Sequence, residues 1–421
     1  FFLQSEMVLL KETNKNQDYQ KAFEWYFKAA KGGYSGAYYR IGYMYEHGRG
    51  VESSWEQAAS YYELGASLGN VLCMNQIAWC SRNGKGVEQS YEQAFRWYSL
   101  SASKGDKTGQ YEIGLMYADG EFVEQNDEKA FEMYMLAANQ NLAAAENAIG
   151  LCYMNGYGVD INLELAKEYF ERACAQNNSL GFYNLGFYYE ELGQFEKAIE
   201  CYEESYKLGS AAALHNIGRM YCNGKGFEQN YEKGVECYTK SASLGVAASY
   251  YNMGVMYLTG KGVEQDVNKA IELFINASEK HSPEAQHKLG MIYSSNEYGV
   301  NIDYDLAAKY YKLGAAQGFS LAENNLGLLY EQGFGVEKDI STAMLLFKKA
   351  AAKKLPEGMF NIGRLYEHGC DGISSNLEIA AEWYERAVDL GHSVSMYRLA
   401  QLYRTGFTIH TSASEAQNKF I

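Results

Sequence analysis

The sequence predicts an all-α protein, a solenoid of about eleven stacked helix–turn–helix units. Three observations predict it. An aliphatic residue followed by Gly or Ala, usually with Tyr three further on, returns at Ile41, Ile77, Ile113, Ile149, Leu185, Ile217, Met253, Leu289, Leu326, Ile362 and Leu399. The intervals are 36, 36, 36, 36, 32, 36, 36, 37, 36 and 37 residues. Helix-capping residues recur in step with this period, and so do residues that stop helices. Agreement of local signals with a global period marks a sequence that specifies one fold.

A half unit opens the chain with a second helix over 18–31. The next unit sets the template. Ile41 and Tyr45, four apart, share one buried helical face. His47-Gly48-Arg49-Gly50-Val51 breaks that helix. Ser54 caps the next, and Gln57 completes a capping box. Ala58, Tyr62 and Ala66 line its buried side. The caps repeat at Ser54, Ser90, Asn126, Asn162, Asn230, Asp266, Asp303, Asp339 and Asn376. The stops read Gly33, Gly69, Gly105, Asn141, Asn177, Gly209, Gly245, His281, Gly318, Lys354 and Gly391. At His281 and Lys354, poor left-handed formers, Pro283 and Pro356 are expected to forbid helix continuation instead. The unit 181–212 lacks four loop residues, which accounts for the interval of 32 and predicts a local change of twist. The expected organisation is a partial repeat over 1–36, ten repeats over 37–394 and a partial repeat over 395–421. The start at Phe1 and the two cut ends predict a piece of a longer protein or a processed form.

The 37 basic and 52 acidic residues leave −15, which disfavours phosphate backbones and anionic membranes and so predicts no nucleic-acid partner. No apolar run approaches the roughly 18 residues of a membrane helix. Residues 1–10 have no basic start and do not read as a signal peptide. The eight cysteines form no C-x-x-C and no zinc spacing. They read as free thiols in a reducing compartment, with the cytoplasm expected.

These residues carry a family resemblance. A-x-x-x-[LI]-G-x-x-Y-x-x-G-x-G-V followed by K-A-x-x-[WY]-Y-x-x-A resembles the Sel-1-like repeat, a relative of the tetratricopeptide repeat. Good copies are 109–138 (Ile113-Gly114, Tyr117, Lys129-Ala130, Tyr134, Ala137-Ala138) and 249–277 (Met253-Gly254, Tyr257, Gly260-Lys261-Gly262-Val263, Lys269-Ala270). The short unit 181–212 has the turn of a tetratricopeptide repeat. The resemblance implies a right-handed superhelix, and a scaffold or adaptor whose first helices line a concave binding wall. It also implies alternatives: an adaptor of endoplasmic-reticulum-associated degradation in that lumen, or the regulatory region of a larger enzyme such as a kinase. Sequons at Asn177 and Asn276 matter only in a lumenal setting. A secreted, cysteine-rich subset of the family pairs a cysteine matching Cys174 with one at the position of Glu146, so the pairing fails here.

No catalytic constellation, metal set or cofactor motif emerges. The Gly-rich loops at Gly48, Gly84 and Gly224 precede helices, but they recur with the repeat and follow no strand, so they read as turns with φ above zero. The periodic tyrosines read as core. Glu190-Glu191 and Glu203-Glu204 read as solvated helix faces. Two ladders on the first helices remain as binding candidates. Three residues before the glycine stand Tyr39, Asn75, Tyr111, Asn147, Tyr183, His215, Tyr251 and His287. One after it stand Tyr43, Trp79, Phe187, Arg219 and Arg364. Flat groups with polar tips suit a groove that grips proteins as extended peptides. Equally, they suit bonding to neighbouring units. A monomer is expected.

Overall fold

The computed structural model describes residues 18–226 and 228–404. The chain forms two compact units, Phe1–Ser210 and Ala211–Ile421. Among the described residues there are 22 helices of 12 or 13 residues and no strand, apart from one bridge between Cys370 and Ile373. The first unit holds α1 (Tyr19–Lys31), α2 (Ser35–His47), α3 (Trp55–Ser67), α4 (Val71–Asn83), α5 (Tyr91–Ser103), α6 (Lys107–Asp119), α7 (Asp127–Ala138), α8 (Ala143–Asn155), α9 (Leu163–Ala175), α10 (Ser179–Glu191) and α11 (Phe195–Lys207). The second holds α12 (Ala211–Asn223), α13 (Tyr231–Ser243), α14 (Ala247–Thr259), α15 (Val267–Glu279), α16 (Pro283–Ser294), α17 (Tyr304–Ala316), α18 (Ser320–Gln332), α19 (Ile340–Ala352), α20 (Pro356–His368), α21 (Leu377–Asp389) and α22 (Ser393–Arg404). Even numbers are first helices of a repeat and odd numbers second helices. The beginning second helix expected within 395–421 lies outside the described residues, as do residues 1–17.

All nine predicted N-caps accept a backbone N–H at the start of their helix. Each such cap contributes about 1 kcal/mol. The capping box at Ser54 is half formed. Ser54 Oγ accepts from the Gln57 N–H, but its own N–H is donated to the Tyr45 carbonyl at 3.0 Å rather than to Gln57. That second bond is general. The cap N–H of Ser90, Asn126, Asn162, Asn230, Asp266, Asp303, Asp339 and Asn376 each reaches back to a carbonyl near the end of the preceding first helix, seven of the eight belonging to tyrosines. Each loop is thus clamped across its mouth.

All eleven predicted stops have positive φ, including His281 at 62° and Lys354 at 59°. The prolines therefore do not replace the left-handed stop. Pro283 and Pro356 instead occupy the first turn of α16 and α20, where a missing N–H costs nothing.

Packing explains the motif's small residues. At the opening position, Ala37, Ala145, Ala213, Ser249, Ala285, Ala322 and Ser395 are buried against the preceding second helix. The glycine after the aliphatic residue faces the ring of its own second helix: a Cβ on Gly42 would lie 2.4 Å from Tyr62, and on Gly150 2.5 Å from Phe170. Tyr62, Tyr98, Tyr202 and Tyr384 are fully buried there, as expected, each worth about 1.5–3 kcal/mol of apolar burial. The first-helix tyrosines differ: Tyr45, Tyr117, Tyr153 and Tyr293 are half-buried in seams between rings, as Tyr153 is, edge to face with Phe131 and stacked on Tyr169. Glu190 is not solvated. It is buried and accepts from Tyr202 Oη at 3.2 Å, whereas Glu191, Glu203 and Glu204 are exposed.

Candidate protein-interaction surface

The two ladders occupy one face of the even-numbered helices, and the structure divides their members sharply. The upstream ladder turns largely to neighbouring repeats. Asn147 Oδ1 accepts from Asn184 Nδ2 at 2.8 Å, His287 Nε2 meets Asn325 Nδ2 at 3.1 Å, and His215 Nδ1 meets Ser249 Oγ at 2.9 Å. Asn75 donates to Asp106 at 2.8 Å. Tyr39, Tyr111, Tyr183 and Tyr251 are half-buried, each tilted against the second-helix ring at 5.6–6.1 Å. In the downstream ladder, Arg364 is held by Glu331, with Nη1 2.7 Å from Oε1, and Arg219 is half-buried and engaged by neighbours. Trp79 and Phe187, by contrast, are 37% and 38% exposed. Tyr43, Leu115 and Leu151 stand at the same register between them, half-buried. Five consecutive first helices of the first unit thus present an unbroken apolar strip.

A cleft of about 340 Å³ opens on this strip, lined by Trp79, Tyr111, Glu112, Leu115, Ala144 and Leu180, with Arg82, Asn83 and Asn178. Its size is at the low end of small-ligand clefts, which run from about 300 Å³. α4, α6, α8 and α10 all contribute to it. Trp79 is braced by Trp55 at 5.6 Å between centroids. Burial pushes the Tyr111 hydroxyl up to about 12, so it stays a neutral donor.

The Asn–Asn and His–Asn rungs are the bonding to neighbouring units that the ladder's residue types allow; the asparagines that complete them were not named in advance. Their signal was in the sequence: Asn184, Asn325 and Asn361 immediately precede the aliphatic marker in units that follow Asn147, His287 and Asn324. A second set lies one residue before the upstream ladder. Gln140 donates to Gln110, Gln317 to Gln286, and Lys353 to Glu323. At the position where the cysteine-rich relatives pair, Glu146 is 1% exposed and is held by Arg172 Nε at 3.1 Å and by Gln176.

Burial draws His215 down to about 4, aided by Arg219, and His287 down to about 4, aided by Lys288. The unfolded chain holds these groups near 6.5. Between those values the unfolded state binds protons that the folded state refuses, so stability falls as pH falls from about 6.5 toward 4. Asn fills the same ladder position at Asn75, Asn147 and Asn324. His215→Asn with His287→Asn is therefore expected to flatten the decline of the second unit's thermal midpoint over that window. An unchanged slope would refute the assignment.

The family model of the Sel1 repeat matches residues 12–34, 35–70, 71–106, 108–142, 143–178, 183–210, 211–246, 247–282, 283–319, 320–355, 356–392 and 393–415. Among solved structures the chain is similar to c5321, a protective antigen of uropathogenic Escherichia coli with an SLR fold. Identity is 27% and the TM-score 0.52, over 93% of this chain and 84% of that one. It is also similar to a Sel1 repeat protein from Oxalobacter formigenes, at 24% identity and TM-score 0.49, over 73% of this chain and 89% of that one. The immunity protein Pa5087 from Pseudomonas aeruginosa shares 19% identity, with TM-score 0.41, over 50% and 81% of the two chains. No curated protein matches.

Proposed function

From the premise that the chain belongs to the Sel1-repeat family, whose helical repeats serve as protein-interaction scaffolds, we propose that it holds partner proteins by laying their extended segments along the first-helix wall. The observation that carries this reading is the strip of Tyr43, Trp79, Leu115, Leu151 and Phe187. Large apolar side chains half open to water on consecutive helices cost free energy that a partner would relieve. Aromatic anchors of this kind dominate binding where they become fully desolvated. The upstream ladder supports the wall from behind. Its bonds between repeats hold the first helices in register and leave the downstream positions to face a guest.

A pull-down comparison tests this. Trp79→Ser with Phe187→Ser, at positions 37% and 38% exposed, is expected to abolish capture of specific partners. Leu64→Ser with Leu136→Ser, exposed on second helices, is expected to leave it intact. Equal capture by both folded variants would refute the proposal.

A further inference from the structure

Charge divides unequally between the two compact units. Residues 1–210 hold 17 basic and 29 acidic side chains, a net −12, whereas residues 211–421 hold 20 and 23, a net −3. At the cleft this asymmetry becomes local. Arg82 faces three carboxylates: its Nε is 2.7 Å from Glu121, Nη1 3.1 Å from Glu112, and Nη2 3.8 Å from Asp119. One guanidinium cancels one charge, so two remain uncompensated beside the apolar walls of Trp79, Leu115 and Leu180. The Arg82, Glu112 and Glu121 side chains are only 19%, 21% and 27% exposed, so solvent screens the excess poorly. Burial, the largest cause, together with the nearby Glu121 charge raises the Glu112 carboxyl above its ordinary range despite Arg82. Asp119, 58% exposed, carries the cluster out to the rim.

We infer that the groove takes an extended peptide in which a large apolar residue is flanked by lysine or arginine. The apolar side chain enters the cleft between Trp79, Leu115 and Leu180, and the neighbouring cation meets Asp119 and Glu121. This rests on the reading of the first-helix wall as the binding surface and adds the chemistry of its guest. An acidic segment would meet like charge at the same place, and a neutral one would leave the excess carboxylates unanswered.

The test is a random-peptide display screen on the full chain, followed by binding of one enriched synthetic peptide to variants. Enriched sequences are expected to set Lys or Arg within two positions of a bulky apolar residue. Affinity is expected to fall roughly tenfold in Asp119→Asn with Glu121→Gln, at least about thirtyfold in Trp79→Ala, and with rising salt. Leu180→Ser, at a half-exposed site, repeats the cleft test if Trp79→Ala perturbs folding. Neutral or acidic enriched sequences that still depend on Trp79 or Leu180 would overturn the basic-peptide inference and leave the wall reading standing. Peptides indifferent to both cleft positions would overturn the two together.

Discussion

Gly158→Ala is expected to destabilise the first unit by about 3–4 kcal/mol. Gly158 sits at φ 67°, where any side chain is strained. A Cβ there would lie 2.1 Å from the Asp127 carbonyl oxygen and 2.6 Å from the Glu128 nitrogen, both backbone atoms at the start of α7. Backbone cannot swing aside as a side chain can, so the loop must lift from the preceding repeat. Gly193→Ala separates the two causes. It shares the positive φ, at 70°, but has nothing within 4 Å, and is expected to cost only about 1 kcal/mol. Hydrogen exchange of α7 and α9 amides reports the loss locally, as befits an array whose repeats contact only their neighbours. Equal losses in the two variants would refute the close-approach explanation. Phe122 stands at the same register in the previous loop, at φ 67°, with its ring 5.7 Å from Phe95. That loop meets the left-handed requirement without glycine.

Arg172→Ala is expected to cost about 2–4 kcal/mol, because it strands the Glu146 carboxylate inside the stack with Gln176 as its remaining partner. Arg172 itself is 38% exposed, so the penalty arises from the buried acid and not from a lost surface ion pair. The rescue is specific. Adding Glu146→Gln to Arg172→Ala is expected to recover most of the loss, since Gln110–Gln140 and Gln286–Gln317 fill the equivalent place with neutral amides. A double variant no more stable than Arg172→Ala alone would count against this account, and urea midpoints decide it.

Repeat number, caps and stops were legible because each is local: a short polar side chain at Ser90 or Asp339, or a residue tolerating positive φ at Gly69, acts on its own few residues. What failed were readings that needed a second helix. The Ser54 N–H looked available to Gln57 until the Tyr45 carbonyl, nine residues back, took it. Glu190 looked solvated because nothing within its own helix shows that Tyr202 will fold over it. On the candidate surface, the residue types at the two ladders were readable, but their division was not. Asn147 and Trp79 both suited a guest by chemistry. Only stacking, which brings Asn184 to Asn147 and leaves Trp79 open, separates them. The carboxylates around Arg82 escaped notice for the same reason, since Glu112 and Glu121 lie a full repeat away in sequence.

The clamp from each cap N–H to the preceding helix carries an evolutionary consequence. It closes over nine positions from Tyr45 to Ser54, over ten from Tyr293 to Asp303 and from Tyr366 to Asn376, and over five from Tyr189 to Gln194. The same knot ties connections of unequal length, from five positions to ten. Codons can therefore be gained or lost inside the knot while the rest of the stack stays in place, which lets individual repeats drift toward new surface chemistry one at a time.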